Sequence, residues 1–190
     1  MSWNLVLEHL FIVLAASLLS ILVGVSLGIW AYVSSKTRPV ILRVVDLLQT
    51  IPSLAMLGII MVFLGAGKIT VIIGITLYSL LPIVRNTCLG LQEVDPGVKE
   101  ELGAFMVAYD IDVANCSEKE LNHEVTKYGR GFAQAGGVQA AVVNAIGTAV
   151  FAAFVGGGGL GGIINRGIRI QDMRLILTGT GCLMIIAVLA

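Results

Sequence analysis

Thirty-five consecutive residues, Gly131 to Asn165, contain no Asp, Glu, Lys or Arg. The twenty-six from Leu10 to Ser35 and the twenty-one from Leu47 to Gly67 share that property. An α-helix rises about 1.5 Å per residue and the hydrocarbon core of a bilayer is about 30 Å thick, so each run is long enough to cross it. Two shorter uncharged runs, Ile69–Val84 and Leu175–Ala190, are marginal by length alone. In water such a chain would expose apolar patches large enough to aggregate. Lipid is the solvent this sequence suits.

Composition agrees: 57% of residues are hydrophobic and 13% charged, against about 25% charged in a soluble domain. Helices satisfy their own backbone polar groups in lipid, so the expected fold is an all-α, polytopic membrane helix bundle. Five spans are expected, at about 9–33, 47–66, 69–90, 132–155 and 173–190. They form one transmembrane domain over 1–190, with a loop, 91–131, inserted between spans three and four. No basic residue precedes the first apolar run, which is also too long for a signal peptide, so it reads as a retained helix. The sequence stops at Ala190 still in apolar residues, and a clipped fifth span is one reading of that end.

Charge placement orients the bundle. Lys36, Arg38 and Arg43 follow span one, and Lys99, Lys119, Lys127 and Arg130 lie between spans three and four, whereas only Lys68 separates spans two and three. The positive-inside rule then places the N-terminus outside and the 91–130 segment in the cytoplasm. Arg166, Arg169 and Arg174 fall on the outer side against that rule; a re-entrant segment after Gly156–Gly162 would reduce the conflict. The segment 92–130 holds nine of the twelve acidic residues and four of the twelve basic ones, a net charge of −5, and reads as water-exposed. The whole chain has a formal net charge of zero, which gives no general attraction to nucleic acid.

Small residues mark close helix contacts. Ser20, Gly24 and Gly28 recur at a spacing of four in span one, a pattern that lets two backbones approach in lipid. Span four carries a longer stripe, Gly136, Ala140, Asn144, Thr148, Ala152 and Gly156. Its Asn and Thr either bond a neighbouring helix or line a polar path. Pro52 stands where span two begins, Pro82 should kink span three, and Arg85 is expected to snorkel to the cytoplasmic interface. Gly65-Ala66-Gly67-Lys68 resembles the tail of a phosphate loop, but Val62 replaces its first glycine and Ile69 its magnesium-binding hydroxyl. Gly157 to Gly162 fits a dinucleotide fingerprint by letter but has no strand before it, and reads as a helix break. Cys88, Cys116 and Cys182 form no metal-ligand pair. No cofactor and no enzymatic activity of the chain's own is expected.

Four ordered blocks carry a family resemblance: Asp46-Leu47-Leu48-Gln49-Thr50-Ile51-Pro52-Ser53-Leu54-Ala55; Leu81-Pro82-Ile83-Val84-Arg85-Asn86-Thr87; Val94-Asp95-Pro96; and Asn144 to Ala149 with Phe154 to Gly161. Over about 1–99 and 137–190 the chain resembles the permease subunit of bacterial ABC importers for osmoprotectants such as glycine betaine, carnitine and choline. The resemblance implies a bacterial cell membrane location, a second permease subunit, a separate ABC ATPase subunit that binds the ATP, and an extracytoplasmic substrate-binding protein. Gln49, Thr50, Ser53, Asn86, Asn144 and Thr148, polar residues in or beside the spans, are the expected lining of a translocation path.

The family's coupling loop, which seats in the ATPase, begins Glu-Ala-Ala, with a glycine soon after and a later Leu-Pro. Here Glu100 matches the glutamate, Glu101 and Leu102 stand in place of the alanines, and Gly103 falls close to the glycine. No proline follows Pro96, and 101–136 is several residues too long. Glu100, Glu101 and Gly103 are the expected ATPase contacts, with added bulk and charge at that seat. The alternative expectation is therefore a transport-defective or scaffold-like paralogue that inserts without coupling. A passive channel, suggested only by the polar stripe, is a third.

Overall fold

The computed structural model describes residues 3–92 and 137–189, and every regular element among them is helical. In chain order these are α1 (Trp3–Val33), α2 (Arg38–Thr50), α3 (Ser53–Leu64) and α4 (Lys68–Gln92), then α5 (Gly137–Val155), α6 (Gly161–Arg169) and α7 (Met173–Leu189). The last seven residues of α5, Ala149–Val155, are wound as a 3-10 helix. The expected all-α bundle is what forms. Helices α1, α4 and α5 are each long and apolar enough to cross a membrane. Helix α7 has 17 residues, a reach of about 25 Å.

The expected single span at 47–66 is replaced by two helices bent through 98° at Ile51 and Pro52. The cause is local. Proline has no N–H to continue a ladder and pushes its predecessor out of helical geometry; Ile51 accordingly lies extended at φ −77°, ψ 123°. Helix α2 also begins much earlier than the expected span, just after α1. The Arg38 guanidinium donates from Nε to the Ala31 carbonyl and from Nη2 to the Tyr32 carbonyl, each at 2.9 Å, and so satisfies acceptors that the end of α1 leaves open. Only Val45 of α2 is fully buried.

Helices α1 and α4 run parallel and form the tightest seam. Ser20, Gly24 and Gly28 are all buried there. A β-carbon at Gly24 would fall 2.8 Å from Ile83 Cγ2, and one at Gly28 2.6 Å from Thr87 Cβ. The Ser20 hydroxyl donates to the Ala16 carbonyl at 2.6 Å, the usual way a hydroxyl is satisfied inside a helix in lipid. The spacing-four signal in span one is thus close packing. Ile12, Ala16, Val71, Ile75, Ala145 and Ala149 form the main core between α1, α4 and α5, with Leu183, Ile186 and Ala187 of α7 packed on it.

Helix α5 runs antiparallel to α4. At one end the Gly67 N–H donates to the Val155 carbonyl at 2.9 Å. At the other, Gly137 sits so close that a β-carbon would meet the Pro82 carbonyl at 2.9 Å. Glu8 joins the first of these ends, pairing with Lys68 at 3.0 Å and accepting from the Gly159 N–H at 3.4 Å. Helix α4 therefore ends, and α5 begins, at the end of the bundle opposite Trp3. After Gly156, left-handed at φ +72°, the chain folds back: a β-carbon on Gly161 would collide with the Val150 carbonyl. Helix α6 then packs antiparallel on α7, with Gly167 against Ile176 and Gly179 against Ile164. The glycine run is a helix break, as expected, followed by a short helix that the sequence pattern did not place.

Candidate functional site

Proline at position 82 leaves the carbonyl four residues earlier, that of Tyr78, without its helical donor. Helix α4 nevertheless runs through Pro82 unbroken. The Gln49 side chain supplies the missing donor: its Nε2 bonds the Tyr78 carbonyl at 3.0 Å. One turn on, Arg85 turns to α2, its Nη2 lying 2.8 Å from Asp46 Oδ1 and 3.0 Å from Oδ2. Arg85, expected to snorkel to the interface, is half exposed and is held by a carboxylate three residues before Gln49. Two contacts therefore fix the end of α2 on the proline turn of α4.

Between them and α5 opens a cavity of about 430 Å³, lined by Gln49, Tyr78, Leu81, Pro82, Arg85, Asn86, Ala140 and Asn144. That volume is within the range of about 300–1,000 Å³ usual for small-molecule sites. Its lining residues include three with carboxamide side chains, one tyrosine and one arginine already paired with Asp46. A lining of hydrogen-bonding groups with its single cation matched can solvate a polar solute without trapping a charge of either sign. Arg85 lies seven residues before the end of α4, about 10 Å of helix, so the cavity sits in the half of the bundle nearer the C-terminal end of α4.

Of the six expected path residues, Gln49, Asn86 and Asn144 meet in this cavity. Thr50, Ser53 and Thr148 are not part of its lining. The Thr50 hydroxyl is exposed and donates to the Leu47 carbonyl at 2.7 Å. Ser53 opens α3 beyond the bend. Thr148 is buried, directly before the 3-10 turns of α5. Glu100, Glu101 and Gly103 lie outside the described residues. Tyr78, Arg85 and Ala140 were missed as lining. Tyr78 had a readable signal, since it stands four residues before a mid-helix proline; Ala140 was already on the small-residue stripe. No group of three or more His, Cys, Asp or Glu that could hold a metal occurs among the described residues.

An all-helical membrane bundle with a broken span and a polar cavity between its helices has the architecture of a transport permease. The fold matches that of the MetNI methionine ABC transporter in inward-facing conformations, with a TM-score of 0.81 over 100% of this chain and 92% of that one, at 19% identity. Residues 10–101 match the binding-protein-dependent transport system inner membrane component family. The chain is 36% identical to the carnitine transport permease protein OpuCB of Listeria monocytogenes, over 90% of this chain and 75% of that protein. It is 33% identical to the choline transport system permease protein OpuBB of Bacillus subtilis, over 95% of this chain and 79% of that protein. The chain belongs to the binding-protein-dependent inner-membrane permease family. It is a multi-pass component of the inner membrane and not itself an enzyme, and membership implies an ATPase and a binding protein as its partners.

Proposed function

We propose that this chain is the permease subunit of an ABC importer for small quaternary-ammonium osmoprotectants such as glycine betaine, choline or carnitine. The solute crosses through the cavity between α2, α4 and α5. The observation that carries this reading is the convergence of Gln49, Asn86 and Asn144 on one open cavity whose only cation is already paired with Asp46. A wall without net charge suits a solute that is zwitterionic or carries a shielded cation. Tyr78, the aromatic residue in the lining, adds a ring of the kind that attracts such cations. The relatives named for carnitine and choline transport support the same class. The N-terminus lies outside, a second permease subunit completes the pore, and Glu100, Glu101 and Gly103 face the ATPase.

Uptake of labelled choline and carnitine by cells holding the complete transporter tests the path. Asn144→Leu and Asn86→Leu should each lower uptake while the chain still reaches the membrane at the normal level. Undiminished uptake in both variants removes this cavity from the path.

A second reading, insertion without coupling, is favoured by one observation. The family match ends at residue 101, where Glu101 and Leu102 begin to depart from the coupling pattern. Co-purification with the cognate ATPase and solute-stimulated ATP hydrolysis at the level of an intact relative would dismiss it. Recovery of the membrane protein without ATPase would establish it.

A further inference from the structure

Helix α6 carries a second polar cleft, of about 370 Å³, lined by Gly162, Asn165, Arg166, Arg169 and Ile170. Its depth follows from its contacts. Gly161 is level with Val150, and Ile164 with Gly179, while Leu183 and Ile186 of α7 pack against the central core. Helix α6 thus rises outward from within the bundle. Arg166 and Arg169 come level with the end of α5, at the same end as Trp3. Both side chains are exposed, beside Ile168 and Ile170, each 58% exposed, and Met173.

Charge at this place is unbalanced. Three carboxylates occur among the described residues, and all are engaged: Glu8 with Lys68, Asp46 with Arg85, and Asp172 with the Arg174 N–H at 2.9 Å. Neither the Arg166 nor the Arg169 guanidinium makes a hydrogen bond or ion pair among the described residues. Helix α4 ends and α5 begins at the opposite end of the bundle. Arginines interleaved with exposed isoleucines, level with helix ends in a membrane protein, have the chemistry of the headgroup layer: apolar side chains enter the acyl region and guanidinium forks face phosphate.

We propose that the α6 cleft binds the phosphate of a phospholipid, with Arg166 and Arg169 as its ligands and Ile168 and Ile170 against the acyl chains. The lipid anion supplies the counter-charge that the described residues lack here and explains how arginines can stand at the end of the bundle where the positive-inside rule disfavours them. The site depends only on membrane embedding and not on which solute is carried.

Delipidated, detergent-purified chain is titrated with phosphatidylglycerol or with diacylglycerol, and bound lipid is counted by native mass spectrometry. Phosphatidylglycerol should be retained and diacylglycerol lost. Retention should fall about fivefold for each of Arg166→Gln and Arg169→Gln, the effect of one cation near an anionic headgroup. The Arg166→Lys, Arg169→Lys pair should keep most of the binding, and Arg43→Gln should leave it unchanged. Equal retention by the wild type and the double Gln variant overturns the site, as does equal retention of the two lipids. Release of phosphatidylglycerol by low-millimolar inorganic phosphate overturns the lipid assignment in favour of a free anion.

Discussion

Gly28 is the position where a single added atom matters most in the α1–α4 seam, because Thr87 lies where its β-carbon would go. Overpacking of this kind costs about 1–3 kcal/mol. Gly28→Leu should therefore lower the melting temperature of the purified protein in detergent. Gly147 on α5 is the counter-case, with no neighbouring atom within 4 Å of where a β-carbon would stand. Gly147→Ala should be neutral or stabilising by about 0.4–1 kcal/mol, since it only removes unfolded-state freedom. A drop at Gly147 equal to that at Gly28 would refute the distinction. The spacing of Ser20, Gly24 and Gly28 could be read from the sequence because all three stay on one face over two turns. The α5 stripe could not be read as one surface. Residues four apart drift about 40° around a helix, and the 3-10 turns from Ala149 rewind it further. Asn144 consequently lines the cavity while Thr148 and Ala152 turn into the core.

The junction of α2 with α4 belongs to whole elements. Gln49 and Pro82 act as a pair, one supplying the donor that the other removes. Gln49→Leu should cost about 1–3 kcal/mol by leaving the Tyr78 carbonyl unsatisfied. In a Pro82→Ala background the helix can satisfy that carbonyl itself, and Gln49→Leu should cost much less. A double-mutant cycle on melting temperatures reads the coupling, and additive effects would disprove it. Arg85 and Asp46 are both about half exposed, so their pair contributes little stability, about 1 kcal/mol at most. Its effect falls on the cavity. Asp46→Asn should lower uptake with little change in melting temperature, because it leaves the Arg85 cation unmatched in the lining. Uptake unaffected by Asp46→Asn would show that the match is immaterial.

At the scale of the molecule, contacts sort the helix ends into two groups. Glu8, Lys68 and Gly159 lie together at one end, and Arg38 caps α1 toward the other. Orientation in the membrane can be read by labelling with an impermeant maleimide in intact cells, in a background with its native cysteines replaced. Ala66→Cys, exposed between α3 and α4, should label directly. Ser35→Cys, exposed between α1 and α2, should label only after permeabilisation. The reverse pattern would invert the proposed topology while leaving the fold untouched.

The sequence alone determined the solvent, the helical class and the family. Long uncharged runs leave a chain no alternative to helices in lipid, and ordered motif blocks survive as letters whatever the folded geometry. It also marked six polar residues for a path, Gln49, Thr50, Ser53, Asn86, Asn144 and Thr148, of which only Gln49, Asn86 and Asn144 line the cavity. Only the tertiary structure decided which polar groups share a cavity, why Gln49 faces Tyr78, that Arg85 pairs with Asp46, and that the second span is broken. Each of these depends on how one helix is rotated and set against another. That rotation is fixed by distant close approaches, Gly28 on Thr87 and Gly137 on Pro82, between residues far apart in the chain.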